Sequence, residues 1–484
     1  MKVNQFVCVL LLAGVAAVKM PAQTLQALWS FNYTNSGYPY GGLMLGNDGN
    51  FYGTTASGGT NGDYGTIFKV TTNGTFTTLI SFNFTNGAQP SASLTLGNDG
   101  DFYGTTGDGG NTNFSFPMGM GTVFKMTTNG TLTTLAFFTY TNGATPDSAL
   151  TLGNDGSFYS TTENGYTNGN GTVFKVTTNG TLTSLFTFDI SKTNGANPSA
   201  LTLGNDGNFY GTTINGGNTN LYGGSGCGTV FRVTTNGTLT TLVSFNGING
   251  AFPSAALTLG NDGNFYGTTS GDGNTNLNHD TYGTVFQVTT NGTLTTLASF
   301  NYTNGAESES PLTLGIDGNF YGMTVIGGIT NSFQPMGMGT VFKVTTNGTL
   351  TLLAAFDGTN GMSALGALTL GNDGNLYGTT GYGGNTYTND GFGDGTVFRL
   401  SLSSVITPPI IPPTITLQLW AGYPLLSLFG TLGDTYTMQY TTNLAVPNWT
   451  PMLIVPNLSI SPFQMIDPAG VVQPSRFYRA VQSQ

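Results

Sequence analysis

Seven copies of one segment run along this chain: Leu-Thr-Leu-Gly-Asn-Asp-Gly-Asn-Phe-Tyr-Gly-Thr-Thr, a loop of changing length, then Gly-Thr-Val-Phe-Lys-Val-Thr-Thr-Asn-Gly-Thr-Leu-Thr-Thr-Leu, with small variations. The Asp of each copy is Asp48, Asp99, Asp155, Asp206, Asp262, Asp317 and Asp373, a period of 51 to 56 residues. A unit of that size cannot bury its apolar surface alone. It must stack on its neighbours, as the blades of a propeller or the turns of a solenoid do.

Each copy holds four strand patterns rich in Thr, Val, Phe and Tyr and bounded by turn residues. In the copy around Asp206 they cover Ser199 to Gly204, Asn208 to Thr213, Gly228 to Val233 and Thr238 to Phe245, here called positions A, B, C and D. The A–B connection carries Asn205-Asp206-Gly207 and the C–D connection Asn236-Gly237. Such pairs suit type I′ hairpins, where both central residues take positive φ. Counting the positions separates a closed stack from an open one. A–B turns and C patterns each occur seven times, but Asn-Gly C–D turns occur only six times, at Asn73, Asn129, Asn179, Asn236, Asn291 and Asn347. The first D pattern, Thr24 to Phe31, precedes every other element, and the last copy ends at C, Gly395 to Leu400. Pairing the orphan D with the final A, B and C completes a seventh unit. The expected fold is therefore all-β: a seven-bladed β-propeller over 24–402, closed by its N-terminal strand, with A innermost and D outermost.

The flanks differ from the repeats. Lys2, the apolar run Phe6 to Val18 and the segment around Met20, Pro21 and Ala22 read as a signal peptide over 1–23, the run being shorter than the roughly 20 residues a membrane span needs. Pro408, Pro409, Pro412 and Pro413 mark a semi-rigid linker over 403–414. The remaining 415–484 alternates apolar and polar residues and is expected to form a small β-sandwich-like domain.

Only 7% of the 484 residues are charged, against roughly a quarter in ordinary soluble proteins. Disorder is not the reason, because 33 Phe and 22 Tyr supply a core. Cys8 falls in the leader, so the exported chain keeps Cys227 alone and has no intramolecular disulfide. Losing Lys2 and Lys19 from 11 basic residues leaves 9 against 22 acidic ones, which argues against nucleic acid or an anionic membrane as partner. A monomer is expected, secreted or on the outer cell surface, with no transmembrane segment after leader cleavage.

The block Asp-Gly-Asn-Phe-Tyr-Gly-Thr-Thr, then Gly-Gly, then Gly-Thr-Val-Phe-Lys-Val-Thr-Thr-Asn-Gly-Thr-Leu-Thr-Thr-Leu, as around Asp99 and Asp206, closely resembles the GloVer tandem repeat over 24–402. That family consists of exported bacterial proteins carrying one repeat array with differing C-terminal sorting or anchoring modules. The resemblance implies export and a propeller-like array, and it implies no activity and no catalytic residues. The tail, with Tyr436 to Thr442, Trp449 and Phe477-Tyr478-Arg479, is similar to a C-terminal β domain common in large secreted bacterial proteins.

Position C repeats a basic or polar residue at Lys69, Lys125, Lys175, Arg232, Gln287, Lys343 and Arg399. These side chains form either a cationic ring for an anion or partners for carboxylates in their own blades, and the second is expected because a repeated charge usually serves the repeat. The Asn-Asp-Gly-Asn turns also resemble the opening of a calcium loop, but the further acidic ligands such loops need are missing. No cofactor is expected, with calcium at these turns the one alternative.

Function is sought where the copies differ. The B–C and D–A connections share one face of a four-stranded blade, and they carry twelve acids against Lys192 and His279. Candidate ligand-binding residues on this acidic, aromatic-bearing face are Asp63, Asp108, Glu163, Tyr166, Tyr222, Asp272, His279, Asp280, Glu307, Glu309, Tyr382, Asp390 and Asp394. Loops on a rigid scaffold are where binding residues concentrate, so the expected function is recognition of an extracellular glycan or protein. The alternatives are a carbohydrate-active enzyme using two loop carboxylates and a purely structural spacer.

Overall fold

The computed structural model describes residues 23–402 except 33–35, 113–116, 166–168, 190, 192, 219–223, 272–281, 332–333 and 385–392. Beyond them it describes the segments 414–420, 423–429, 435–441, 449–455, 463–466 and 477–483. Among the described residues there is no α-helix. The chain forms two compact units, 1–403 and 404–484.

The first unit contains seven antiparallel sheets, each with the spatial order A, B, C, D. Sheet 1 is Met44–Leu45, Phe51–Thr55, Thr66–Val70 and Phe76–Ser81, and sheets 2 to 6 repeat this pattern. Sheet 4 adds a short segment, Ala196–Pro198, beside its B strand Phe209–Asn215. Sheet 7 is assembled from both ends of the unit. Thr369–Leu370, Leu376–Thr380 and Thr396–Ser401 are joined by Thr24–Ser30, which pairs with the C strand from Thr24↔Ser401 to Ser30↔Thr396. The unit is thus an all-β, propeller-like array of four-stranded antiparallel repeats.

The B strand explains why the sheets stack. Phe51 and Tyr52 are consecutive, so they point to opposite faces of the strand, and both are fully buried. Tyr52 packs on Phe102 of sheet 2 with ring centroids 4.2 Å apart, and the same contact recurs at Tyr103–Phe158, Tyr159–Phe209, Tyr210–Phe265 and Tyr266–Phe320. Tyr377 of sheet 7 meets Phe51 of sheet 1 at 4.2 Å. Threonines then fix the register between sheets. The A-strand hydroxyls of Thr95, Thr151, Thr313 and Thr369 donate to the carbonyls of Leu150, Leu201, Leu368 and Leu43, each at 2.6 Å. A second set runs from the B strand, as in Thr54 to Ala92 O (2.9 Å), Thr212 to Ala255 O (3.0 Å) and Thr379 to Gly41 O (2.8 Å).

Two expectations about local structure need correction. The turns are not type I′. Positive φ occurs at Gly74 and Gly207 but not at Asn73 or Asp206. Gly74 N–H donates to Thr71 O and Thr71 N–H to Thr75 O, so each connection is a type I turn closed by a glycine bulge, the three-residue hairpin in which only the last residue is left-handed. Position A is also far shorter than its sequence pattern. In sheet 4 the A strand covers only Thr202–Leu203, against the Ser199 to Gly204 expected. The inner strands of consecutive sheets lie side by side, which leaves little length for pairing, and the residues ahead of them turn away to form the site described below.

The second unit comprises two three-stranded sheets, one of Thr414–Trp420, Tyr423–Phe429 and Phe463–Ile466, the other of Thr450–Val455, Thr435–Thr441 and Phe477–Ser483. Leu426 and Leu428 from one share a core with Tyr436, Met438 and Val455 from the other, as in a small sandwich. Arg479 lies 4.3 Å from the Trp449 ring centroid.

The stacking account predicts the effect of one substitution. Phe265→Leu removes a stacked ring from the sheet 4–5 boundary and lowers the free energy of unfolding by about 1–2 kcal/mol. Denaturant titration of the variant against the parent measures it.

Candidate functional site

The two faces of the array treat their carboxylates differently. On the tight-turn face, each repeated Asp is enclosed by hydrogen bonds. Asp155 accepts from Tyr159 Oη (2.9 Å), Ser157 N (3.1 Å) and Lys175 Nζ (2.7 Å), and Tyr–Asp bonds of 2.7–3.0 Å recur in all seven sheets. Lys125 and Lys343 each sit 2.8 Å from Asp99 and Asp317, and Gln287 donates to Asp262 at 3.1 Å. Lys125, Lys175 and Lys343 therefore pair with carboxylates of their own sheets. Burial alone would raise the pKa of Asp155, but the hydrogen bonds from Lys175, Ser157 and Tyr159 and the Lys175 charge outweigh it and hold the group at about 2. Asp48, Asp99, Asp206, Asp262, Asp317 and Asp373 are lowered for the same kind of reason.

The opposite face holds a cavity of about 370 Å³ to which every sheet contributes. Its geometry starts from a backbone feature that recurs seven times. Tyr38, Gln89, Thr145, Asn197, Phe252, Glu307 and Ser363 all have φ between 52° and 59°, although none is glycine. A left-handed L-residue costs roughly 1–2 kcal/mol, so something must hold each in place. Each N–H donates to a carbonyl of the preceding sheet, Gln89 to Tyr64, Thr145 to Met120, Ser363 to Met338 and Tyr38 to Asp394 among them. Six of the seven carbonyls accept from the loop after the B strand of their own sheet, as in Gly107 N to Gln89 O and Glu163 N to Thr145 O. The residue two places further on then lines the cavity: Tyr40, Ser91, Asp147, Ser199, Ser254, Glu309 and Leu365. The nearly identical repeats diverge at this cavity-lining position.

Among the described residues, three carboxylates line this cavity, Asp147, Glu163 and Glu309, and no basic side chain does. Ser91 Oγ donates to Asp147 Oδ1 at 3.0 Å, linking sheets 2 and 3. Water reaches Asp147 through the open mouth, while protein walls it in on the other sides. That enclosure raises its pKa, the Ser91 hydrogen bond opposes the rise, and the charges of Glu163 and Asp108 add to it, bringing the group to about 6. Burial raises Asp108 and Glu307, and burial with the Glu307 charge raises Glu309. Aromatics stand on another part of the rim. Tyr38, Tyr40 and Tyr382 pack with centroids 5.5–6.4 Å apart, and the hydroxyls of Tyr40 and Tyr382 are 3.4 Å apart.

Of the residues singled out from the sequence, the structure gathers Glu163 and Glu309 in the cavity, Asp108 and Glu307 beside its carboxylates, and Tyr382 against Tyr40. Asp63 serves its own loop by accepting from Gly58 N–H. Asp394 is 1% exposed and its carbonyl accepts from Tyr38 N–H at 2.9 Å. Tyr166, Tyr222, Asp272, His279, Asp280 and Asp390 lie outside the described residues. Asp147 and Tyr40 are the additions. A signal for them was available, because in five copies the left-handed residue is followed by proline, as in Thr145-Pro146-Asp147 and Tyr38-Pro39-Tyr40. Among the described residues, no three His, Cys, Asp or Glu side chains are grouped to hold a metal ion.

Fold and cavity together define a propeller-like repeat protein whose copies build one face alike and vary the other. The chain belongs to the Gloeobacter/Verrucomicrobia repeat family, which matches residues 14–116, 111–332 and 275–408. No curated protein matches it. Among solved structures it is similar to a gluconolactonase from Xanthomonas campestris, at 11% identity and a TM-score of 0.40, covering 78% of this chain and 89% of that one. It is also similar to the extracellular domain of a protein described as a one-component system from B. thetaiotaomicron (10% identity, TM-score 0.44, 92% of this chain and 55% of that one). A third is the Bacteroides ovatus protein GH43B of a xyloglucan PUL (14% identity, TM-score 0.32, 83% and 86% covered). At these scores the likenesses carry no functional argument.

The carboxylates of the two faces give opposite pH dependences. The turn carboxylates stay ionised in the folded state where the unfolded chain protonates, so their stabilisation is complete above about pH 4 and is lost as pH falls towards 2. Melting temperature should drop across that window, and Asp155→Asn should lower it at neutral pH while flattening the drop. Asp147 has the reverse sign: its pKa is raised on folding, so it favours the folded state most below about pH 4 and loses that contribution as pH rises through about 6. Asp147→Asn should therefore raise the melting temperature by roughly 1–2 °C at pH 7.5 and not at pH 4.

Proposed function

We propose that this chain is an exported binding protein: a seven-bladed β-propeller, closed by its N-terminal strand, that recognises an extracellular glycan through the cavity on its loop face. Residues 1–23 are its signal peptide, 403–414 a linker and 415–484 an accessory β domain for sorting or anchoring. The protein acts outside the cell or on its outer surface, as a monomer and without a cofactor. No helix among the described residues is long and apolar enough to cross a membrane.

One observation carries the reading. At the seven cavity-lining positions the repeats hold Tyr, Ser, Asp, Ser, Ser, Glu and Leu, whereas the B strands one layer away read Phe-Tyr-Gly-Thr-Thr almost without change. A scaffold with no ligand gives no reason for a cavity-lining position to hold Tyr, Asp, Glu and Leu by turns, which disfavours the spacer. The volume lies near the lower end of the roughly 300–1,000 Å³ usual for small-ligand sites, the size of a short sugar segment. Half-buried tyrosines beside carboxylates and serine hydroxyls match the amphipathic character of a sugar ring, apolar on its faces and polar at its edge.

A glycan array probed with the exported chain, with and without calcium, should give binding to a restricted set of sugars. Tyr40→Ala or Tyr382→Ala should weaken the best of them by about tenfold or more, with the melting temperature close to that of the parent. An array on which nothing binds in either condition would overturn the glycan reading.

A further inference from the structure

We propose that the cavity selects ligands that carry a positive charge and that, on the glycan reading on which this rests, its preferred unit is a sugar with a free, protonated amino group. The chain places its own described cations away from this cavity. Every described basic side chain of residues 23–402, namely Lys69, Lys125, Lys175, Arg232, Lys343 and Arg399, sits on a C strand. The ion pairs these residues make are with turn carboxylates on the opposite face. None lines the cavity, where Asp147, Glu163 and Glu309 stand without a counter-charge among the described residues.

That imbalance is specific to the site. Asp147 and Glu309 occupy the position at which sheets 2, 4 and 5 have Ser91, Ser199 and Ser254, so the charge is an addition to the repeat. Like charges in a partly enclosed space repel, and a cleft lined with one sign concentrates ions of the other. A bare metal ion does not suit it, since no three acidic side chains among the described residues gather to coordinate one. A larger organic cation does. Its ammonium group donates charge-assisted hydrogen bonds to the carboxylates, while its body rests on the Tyr40 and Tyr382 rings, whose faces also attract cations. Asp147 and Glu163 come from sheet 3, Glu309 from sheet 6 and Tyr40 from sheet 1, so a ligand of this kind touches several repeats at once.

Calorimetric titration of the exported chain at pH 7 and low salt tests the inference with three probes. They are a fully deacetylated glucosamine oligomer, its N-acetylated counterpart of equal length, and a simple alkyl diamine. The amino sugar should bind about tenfold more tightly than the acetylated one and lose affinity as salt rises. Asp147→Asn and Glu309→Gln should each reduce that preference at least threefold and melt no lower than the parent. If both sugars bind equally, charge selection is wrong and the glycan reading stands. If the diamine binds and neither sugar does, charge selection stands and the glycan reading falls. Both fall if none of the three binds, and a preference that survives both substitutions moves the charge readout away from this cavity and overturns the proposal.

Discussion

The structure depends on a two-residue device, adjacent Phe and Tyr on the B strand facing opposite sides. Each sheet offers a tyrosine forwards and six of the seven a phenylalanine backwards, so stacking sets the spacing of the array without any crosslink. The consequences spread outward from it. The residue after Tyr52 is Gly53, where a Cβ would come within 2.4 Å of Cζ of Phe68, so glycine there lets the C-strand phenylalanine lie flat across the pleat. The tyrosine hydroxyl, carried to the edge of the interface, needs an acceptor, and the turn Asp supplies it. One pair of rings thus accounts for the glycine behind it and the carboxylate beyond it.

The sheet 6–7 boundary shows which parts of the device are replaceable. Leu376 stands where the other sheets have Phe, and Met323 replaces the threonine that donates to the next sheet. The boundary is instead filled by an apolar cluster containing Met323, Met338, Met362, Phe356 and Leu368. Methionine is unbranched and adapts to irregular gaps, so flexible side chains substitute for a stack and a hydrogen bond lost at the same place. The A-strand bond from Thr313 to Leu368 O persists there at 2.6 Å, which keeps the inner register while the packing changes.

Much of this was legible in the sequence because the relevant interactions are periodic. Strand positions B, C and D follow from the alternation of Phe, Tyr, Thr and Val, and the place of Thr24–Ser30 in the last sheet follows from counting turns. The turn type was not legible, since Asn-Gly satisfies both a type I′ turn and a type I turn with a glycine bulge, and only the backbone decides between them. Nor was the central site. Its seven founding residues are left-handed without being glycine, held by bonds to two sheets that no local pattern announces. Tyr40 and Asp147 read as loop residues among many until that backbone turns them inward, whereas Glu163 and Glu309 were found because acids on a basic-poor face are conspicuous.

The contrast between the faces bears on why the cavity is acidic at all. Where the fold needs a carboxylate, it surrounds it with a tyrosine, a backbone N–H and in several sheets a lysine, and the pKa falls. Where Asp147 stands, the surroundings supply a serine hydroxyl and two more acids, and the pKa rises. Serine at the same position in three other sheets makes no such demand. A substitution that adds uncompensated charge to a partly enclosed cavity weakens the fold, and local rules are broken in this way mainly where function requires it. The acidity of the cavity is therefore an exception to the logic of the repeat, and it falls where the proposed ligand would sit.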